Sequence, residues 1–173
     1  MKTLKVKTLY CDMDGVLADF KEHFKQLFNR EDTQTPDIEL WALIENYGKS
    51  KFFSGLPWMP GGQELWKFVT SNFMRVKILS AVGRTDKIDG QASTGKKAWL
   101  MKHISNLSEK DIILVDNKRK KRYYSQPGDI IIDDTPIVID DWLGKGGIGI
   151  LHTSVEKTIS ELNNYLYDEV EAE

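Results

Sequence analysis

The sequence predicts an α/β protein: a mostly parallel, Rossmann-like five-stranded sheet flanked by helices, with a small helical cap inserted after the first strand. Three observations predict it. Residues 6–11, 76–80, 112–115, 130–132 and 148–151 are short apolar runs. Most are continuous rather than alternating, as expected of strands covered by helices on both faces. Helical stretches separate these runs, and strands alternating with helices favour a parallel sheet. One long stretch, from Ala18 to about Pro57, holds no convincing strand.

The elements follow in order. The first strand ends in Asp12, Met13, Asp14 and Gly15, two carboxylates one residue apart and then a glycine turn. Carboxylates are poor strand formers, so a pair closing a buried strand needs a reason. Helix-like pieces at 19–30 and 38–47 follow, in a segment rich in aromatics that includes Phe20, Trp41 and Phe53. A helix over 62–73 comes after a Pro-Gly-Gly turn, and the second strand closes on Ser80. Residues 94–104 carry Trp99, Leu100 and Ile104 at helical spacing. A basic run, 118–122, precedes the strand Ile130-Ile131-Ile132, which ends in Asp133-Asp134. The last helix, 153–170, has a capping box in Thr153 with Glu156, and an apolar stripe of Val155, Ile159, Leu162 and Leu166. The acidic end, 168–173, is expected to fray. The division expected is a core of 1–17 and 58–173, with 18–57 as the cap.

The bulk numbers narrow the class. A chain of 173 residues with 40% hydrophobic and 29% charged residues is long enough for one domain with a real core. A net charge of −2 gives no global attraction to nucleic acid or anionic lipid. The single cysteine, Cys11, excludes an internal disulfide and fits a reducing cytosol. No apolar run approaches a membrane span, and the start alternates like a strand rather than like a signal peptide. A cytoplasmic protein is expected.

In parallel α/β sheets, ligands bind beyond the carboxyl ends of the strands. Here those ends deliver Asp12 and Asp14, Ser80, and Asp133 with Asp134, while Lys121 lies just before the fourth strand. Oxygen ligands of this kind suit Mg²⁺, and a serine and a lysine suit a phosphate dianion. A carboxylate approaching a phosphate dianion at about 4 Å meets roughly 8 kcal/mol of repulsion, from two charge pairs at an effective dielectric near 20. A divalent ion and a lysine can offset it. The constellation reads as phosphoryl transfer.

At these residues the sequence resembles a known family. Asp-Met-Asp-Gly-Val-Leu-Ala-Asp-Phe (12–20) is similar to motif I of the haloacid dehalogenase (HAD) superfamily, and Ile-Leu-Ser (78–80) to motif II. Lys121 falls at the motif III lysine and Asp133-Asp134 at motif IV. Within the superfamily the chain most resembles the 5'(3')-deoxyribonucleotidases and their bacterial and phage relatives, through residues 52–62 and 142–152. The resemblance implies an aspartyl-phosphate formed on Asp12, with Asp14 as general acid and base. It implies Mg²⁺ held by Asp12, the Asp14 carbonyl and Asp134, with Asp133 ligating or supporting. Phosphate would be bound by Ser80, Lys121, Lys96 and backbone amides around 13–15 and at Ala81, and Phe20, Trp41 and Phe53 are implied to stack on a base. The chain departs from the eukaryotic members after motif II, where it reads Ala81-Val82-Gly83-Arg84.

Simpler readings stand beside these. Asp-x-Asp-Gly can be a turn, the basic run a solvated face with Lys121 alone turned inward, and the aromatics plain core. His23, His103 and His152 fall in no metal spacing and are expected to be structural. The leading function is a Mg²⁺-dependent phosphomonoesterase acting on nucleoside monophosphates. The rivals are a phosphatase of sugar phosphates or nucleic-acid 3' ends, a sugar-nucleotide transferase using Asp12 and Asp14, and a non-catalytic binding module. The expected partner is a small phosphate monoester, with no membrane.

Overall fold

Strand β1 (Leu9–Cys11) carries no charged side chain and lies at the centre of the sheet, where both neighbours can shield it. The computed structural model describes residues 6–166. Strands β2 (Val76–Ala81), β3 (Ile112–Val115), β4 (Ile130–Asp133) and β5 (Ile148–Leu151) complete a sheet of order β3-β2-β1-β4-β5, parallel throughout. The register sets Cys11 beside Ile78 and Ile132, so the chain emerges from three adjacent strands at one edge.

β1 is shorter than the 6–11 expected. Residues 7 and 8 still bond to the neighbouring strand, Lys7 N–H to the Gly128 carbonyl and the Thr8 carbonyl to Ile130 N–H, without regular pairing. The strand-like reading of residues 1–5 and the acidic tail lie outside the described residues.

Side chains alternate across the sheet. Leu9, Cys11, Ile78, Ile130 and Ile132 face a large apolar cluster, and Tyr10, Leu79 and Ile131 face a small one. The large cluster takes in helices α1 (Phe20–Phe28), α2 (Asp37–Tyr47), α3 (Lys49–Ser54), α4 (Gly62–Asn72), α6 (Gln91–His103) and α8 (Val155–Leu166). The small cluster is closed by α7 (Pro136–Leu143), through Val138, Ile139 and Trp142. Between Gly83 and Gly90 lies only the short α5 (Asp86–Asp89).

Three helical details differ from the sequence reading. Helix α6 begins at Gln91 rather than 94, because the Asp89 and Asp86 carboxylates accept the N–H groups of Gln91 and Ser93. Helix α8 is capped by Ser154, whose hydroxyl accepts Lys157 N–H at 3.3 Å and whose carbonyl accepts Thr158 N–H. The cap thus sits one residue beyond Thr153, and any extension of the helix past 166 lies outside the described residues. Helices α3 and α7 were not expected. One has only six residues between two glycines, and the other is short and almost wholly apolar, so neither displays a helical period.

Helix α3 is pressed tightly onto α6. A methyl group on Gly95 would overlap the Ser50 carbonyl and Phe53. Lys49, at the start of α3 and 3% exposed, bonds Asp89 at 2.8 Å and Thr85 at 3.3 Å, fixing the same helix to the segment after β2.

Candidate active site

The loop after β1 turns sharply. The Met13 carbonyl accepts N–H bonds from Val16, Leu17 and Ala18. Gly15 has φ +77°, and a Cβ there would collide with the Asp134 carboxylate. Glycine is required both for the backbone region and for the closeness of the second acidic strand end.

This turn faces a network of buried charges. Asp12 is 6% exposed, and its Oδ1 accepts Met13 N–H at 2.8 Å. Lys121, equally buried, reaches Asp12 Oδ1 at 2.9 Å and Asp133 Oδ2 at 2.6 Å. The other Asp133 oxygen accepts Thr135 N–H at 2.9 Å. Lys96, fully buried, bonds the Asp14 carboxylate, Ser80 Oγ at 3.0 Å and the Ala81 carbonyl at 2.6 Å. Asp14 Oδ1 is buried and has no hydrogen-bond partner.

Four carboxylates thus meet two ammonium groups. Burial raises the pKa of Asp133, and the Asp12 charge adds to the effect. Asp134 is pushed up to about 6 by the same two causes, and Asp14 is raised chiefly by burial. Between its two acids Lys121 stays protonated, because their attraction outweighs its desolvation. The acids are therefore under-compensated by the protein alone. One oxygen each from Asp12, Asp133 and Asp134 lie within 4.8 Å of one another, an all-oxygen set that suits a hard divalent cation.

Asp12, Asp14, Ser80, Ala81, Lys121 and Asp134 line one cavity of about 610 Å³. From residues 18–57 Asp19, Phe20, Lys21 and Asp32 also line it, and Lys118, Thr135, His152 and Thr153 come from later loops.

Three of the side chains expected to bind substrate or phosphate, Trp41, Phe53 and Lys96, do not line this cavity. Phe20 reaches the cavity, but Trp41 does not: it is 43% exposed, with its ring 6.5 Å from that of Phe20. Phe53 is buried, its ring 5.0 Å from Lys96 Nζ, and it does not line the cavity. Lys96 is engaged by Asp14, Ser80 and Ala81 and is not open to the cavity. At Ala81 the carbonyl, rather than the amide, is what bonds a site residue.

Sequence reasoning missed Lys21, Asp32, Lys118 and Thr153 as lining residues, since only the folded loops bring them there. His152 is buried, with Nδ1 2.8 Å from Thr158 Oγ1. The basic run divides as expected, Lys121 inward and Lys118, Arg119 and Lys120 exposed.

Solved structures share this parallel α/β fold. A haloacid dehalogenase-like family hydrolase from Xanthomonas campestris has a TM-score of 0.61 at 10% identity, covering 96% of this chain and 94% of its own. A hydrolase from Streptococcus pneumoniae TIGR4 has a TM-score of 0.52 at 14% identity, covering 92% and 99%. A HAD-family hydrolase from Deinococcus radiodurans R1, with bound phosphate and sodium, has a TM-score of 0.51 at 12% identity, covering 87% and 83%.

No curated protein matches the chain in sequence. Residues 6–165 match the family described as 5' nucleotidase, deoxy (pyrimidine), cytosolic type C protein, and the chain belongs to that family. It is a phosphoric monoester hydrolase of the HAD superfamily. The transferase and the binding-module readings fall with that membership. Among the described residues no helix is long and apolar enough to cross a membrane.

Proposed function

We infer that the protein releases phosphate from nucleoside monophosphates, with Asp12 as the nucleophile and Mg²⁺ as cofactor. The observation that carries this reading is the cavity that gathers Asp12, Asp14, Ser80, Lys121 and Asp134 beneath Phe20. Residues 18–57 then act as the cap over a catalytic core, with Phe20 the side chain placed to stack on a base.

The cation would be held by the Asp12 side chain, the Asp14 carbonyl and Asp134. Asp133, already bonded to Lys121 and Thr135, supports from behind. When bound, the ion would supply the positive charge that offsets repulsion between a carboxylate and a phosphate dianion.

The residues divide the remaining work. Lys121 pairs with Asp12 Oδ1 at 2.9 Å, and Met13 N–H fixes its orientation. An Asp12 oxygen attacks phosphorus as the ester P–O bond breaks, and Asp14 delivers a proton to the leaving alkoxide. Water then attacks the aspartyl-phosphate, Asp14 takes the proton back, and inorganic phosphate leaves as Asp12 is regenerated. Lys96 holds the Asp14 carboxylate and the Ser80 hydroxyl together, so in this reading it positions the proton carrier rather than binding phosphate directly. Ser80 remains a donor to the phosphate oxygens.

The test is phosphate release from a panel of 5'- and 3'-deoxynucleoside and ribonucleoside monophosphates with Mg²⁺. Turnover should fall at least about 10³-fold in Asp12→Asn and should require the divalent ion. A wild-type enzyme inert on every nucleotide but active on an aryl or sugar phosphate would sink the nucleotide assignment.

A further inference from the structure

Residues 118–122 form a run of five consecutive cations, of which the catalytic acids engage only Lys121. They open the 3₁₀ segment Lys118–Tyr124, whose start is fixed by the Asn117 side chain accepting Arg119 N–H at 2.9 Å. In a 3₁₀ helix, side chains three apart share a face, and that period sorts the run. Arg119 and Arg122 both reach Asp141, Arg119 at 2.8 and 2.9 Å and Arg122 at 3.9 Å. Lys120, on a second face, pairs with Asp116 at 2.7 Å.

Lys118 shares the third face with Lys121, about 6 Å away along the axis at a rise of about 2 Å per residue. Lys121 is buried on the cavity floor, while Lys118 is exposed and lines the same cavity. Among the described residues no carboxylate lies within ion-pair distance of Lys118, whereas each of the other four cations has one.

We propose that Lys118 is an accessory anion subsite that takes a second phosphate of the substrate, separated by one sugar from the phosphate bound at Asp12. The substrate class is a nucleoside 3',5'-bisphosphate or the 3'-phosphorylated end of a single strand, which present the same chemistry. The inference rests on the nucleotidase reading and adds to it.

The offset of one 3₁₀ turn between the two lysines is of the order of the span across one sugar. Lys21 of α1 also lines the cavity, has no carboxylate partner among the described residues, and adds positive charge from the cap segment. The acids nearby, Asp19 and Asp32, also come from the cap segment, and Asp19 already accepts Glu22 N–H at the start of α1. An exposed, unpaired ammonium over a buried, doubly paired one suits a phosphate that arrives from solvent.

The experiment compares kcat/KM for a deoxynucleoside monophosphate, its 3',5'-bisphosphate and a dinucleotide bearing a 3'-terminal phosphate. In the wild type the second phosphate should raise kcat/KM about five- to tenfold at low salt, and the gain should fade as salt rises. In Lys118→Gln the kcat/KM ratio of the substrate with two phosphates to that with one should drop about fivefold, and in Lys118→Glu below one. Arg119→Gln and Lys120→Gln, whose charges are already paired, should keep the wild-type ratio. A gain confined to the bisphosphate assigns the subsite to free nucleotides, and one confined to the dinucleotide assigns it to strand ends. Equal ratios in wild type and Lys118→Gln, with all substrates turned over, would overturn the proposal. Absence of turnover on every substrate would overturn the nucleotidase reading and this one with it.

Discussion

Lys121 and Lys96 approach the same loop from different elements, both withdrawn from water, and their charges are balanced differently. Lys121 lies between Asp12 and Asp133 and is the joint between two strand ends. Lys96 meets one carboxylate, Asp14, and completes its shell with a hydroxyl and a carbonyl. The first holds Asp12, the nucleophile proposed above, against a fixed partner. The second holds Asp14, the proton carrier proposed above, and leaves one of its oxygens without a bond. The same residue type thus rigidifies on one side and leaves room for change on the other.

Substitutions can break that contrast, the largest effect first. Lys121→Met leaves two buried acids facing each other without a cation. It should cost about 3–5 kcal/mol in urea unfolding, as expected when one partner of a buried ion pair is removed. Phosphate release should fall at least about 10³-fold. Lys96→Met leaves a single carboxylate, the partly exposed Asp14, without its cation, and takes a donor from Ser80 and Ala81, so about 1–2 kcal/mol is expected. Activity should still fall about 10²-fold, because the proton carrier loses its support. If both variants lost equal stability, the contrast between joint and support would be wrong.

The smallest effects lie in the cap. Phe20→Ala should raise KM for nucleotides about fivefold with little change in kcat, as expected for the loss of one stacking contact. Trp41→Ala should change KM less than twofold, because that ring does not line the cavity. Steady-state kinetics on one nucleotide separates the two.

How much of this was legible in the sequence follows the same division. Asp12, Asp14, Ser80, Asp133 and Asp134 stand at the ends of apolar runs, and a parallel sheet must bring such ends to one edge. Chain order therefore nearly determined their meeting. Lys121 was read from its place just before the fourth strand and from the resemblance, since nothing local distinguishes it from Lys120. What Lys96 and Phe53 do was not legible, because it depends on α3 lying against α6 at Gly95. Helix α3 is too short to announce itself by periodicity. The cap's aromatics could not be ranked for the same reason: Phe20, Trp41 and Phe53 are alike in composition and differ only in where the fold leaves them.

The period of three in residues 118–122 also bears on how this segment can change. Each of its faces faces a different counterpart: the catalytic acids and the cavity, Asp141, or Asp116. Swapping one exposed cation for another alters a single face. Deleting one residue turns everything beyond it by a third of a revolution. Lys121 would then swing away from Asp12, and a different cation would be carried toward that carboxylate. The segment therefore tolerates spelling changes far better than changes of length, and natural variation in it should keep its residue count even where its letters drift.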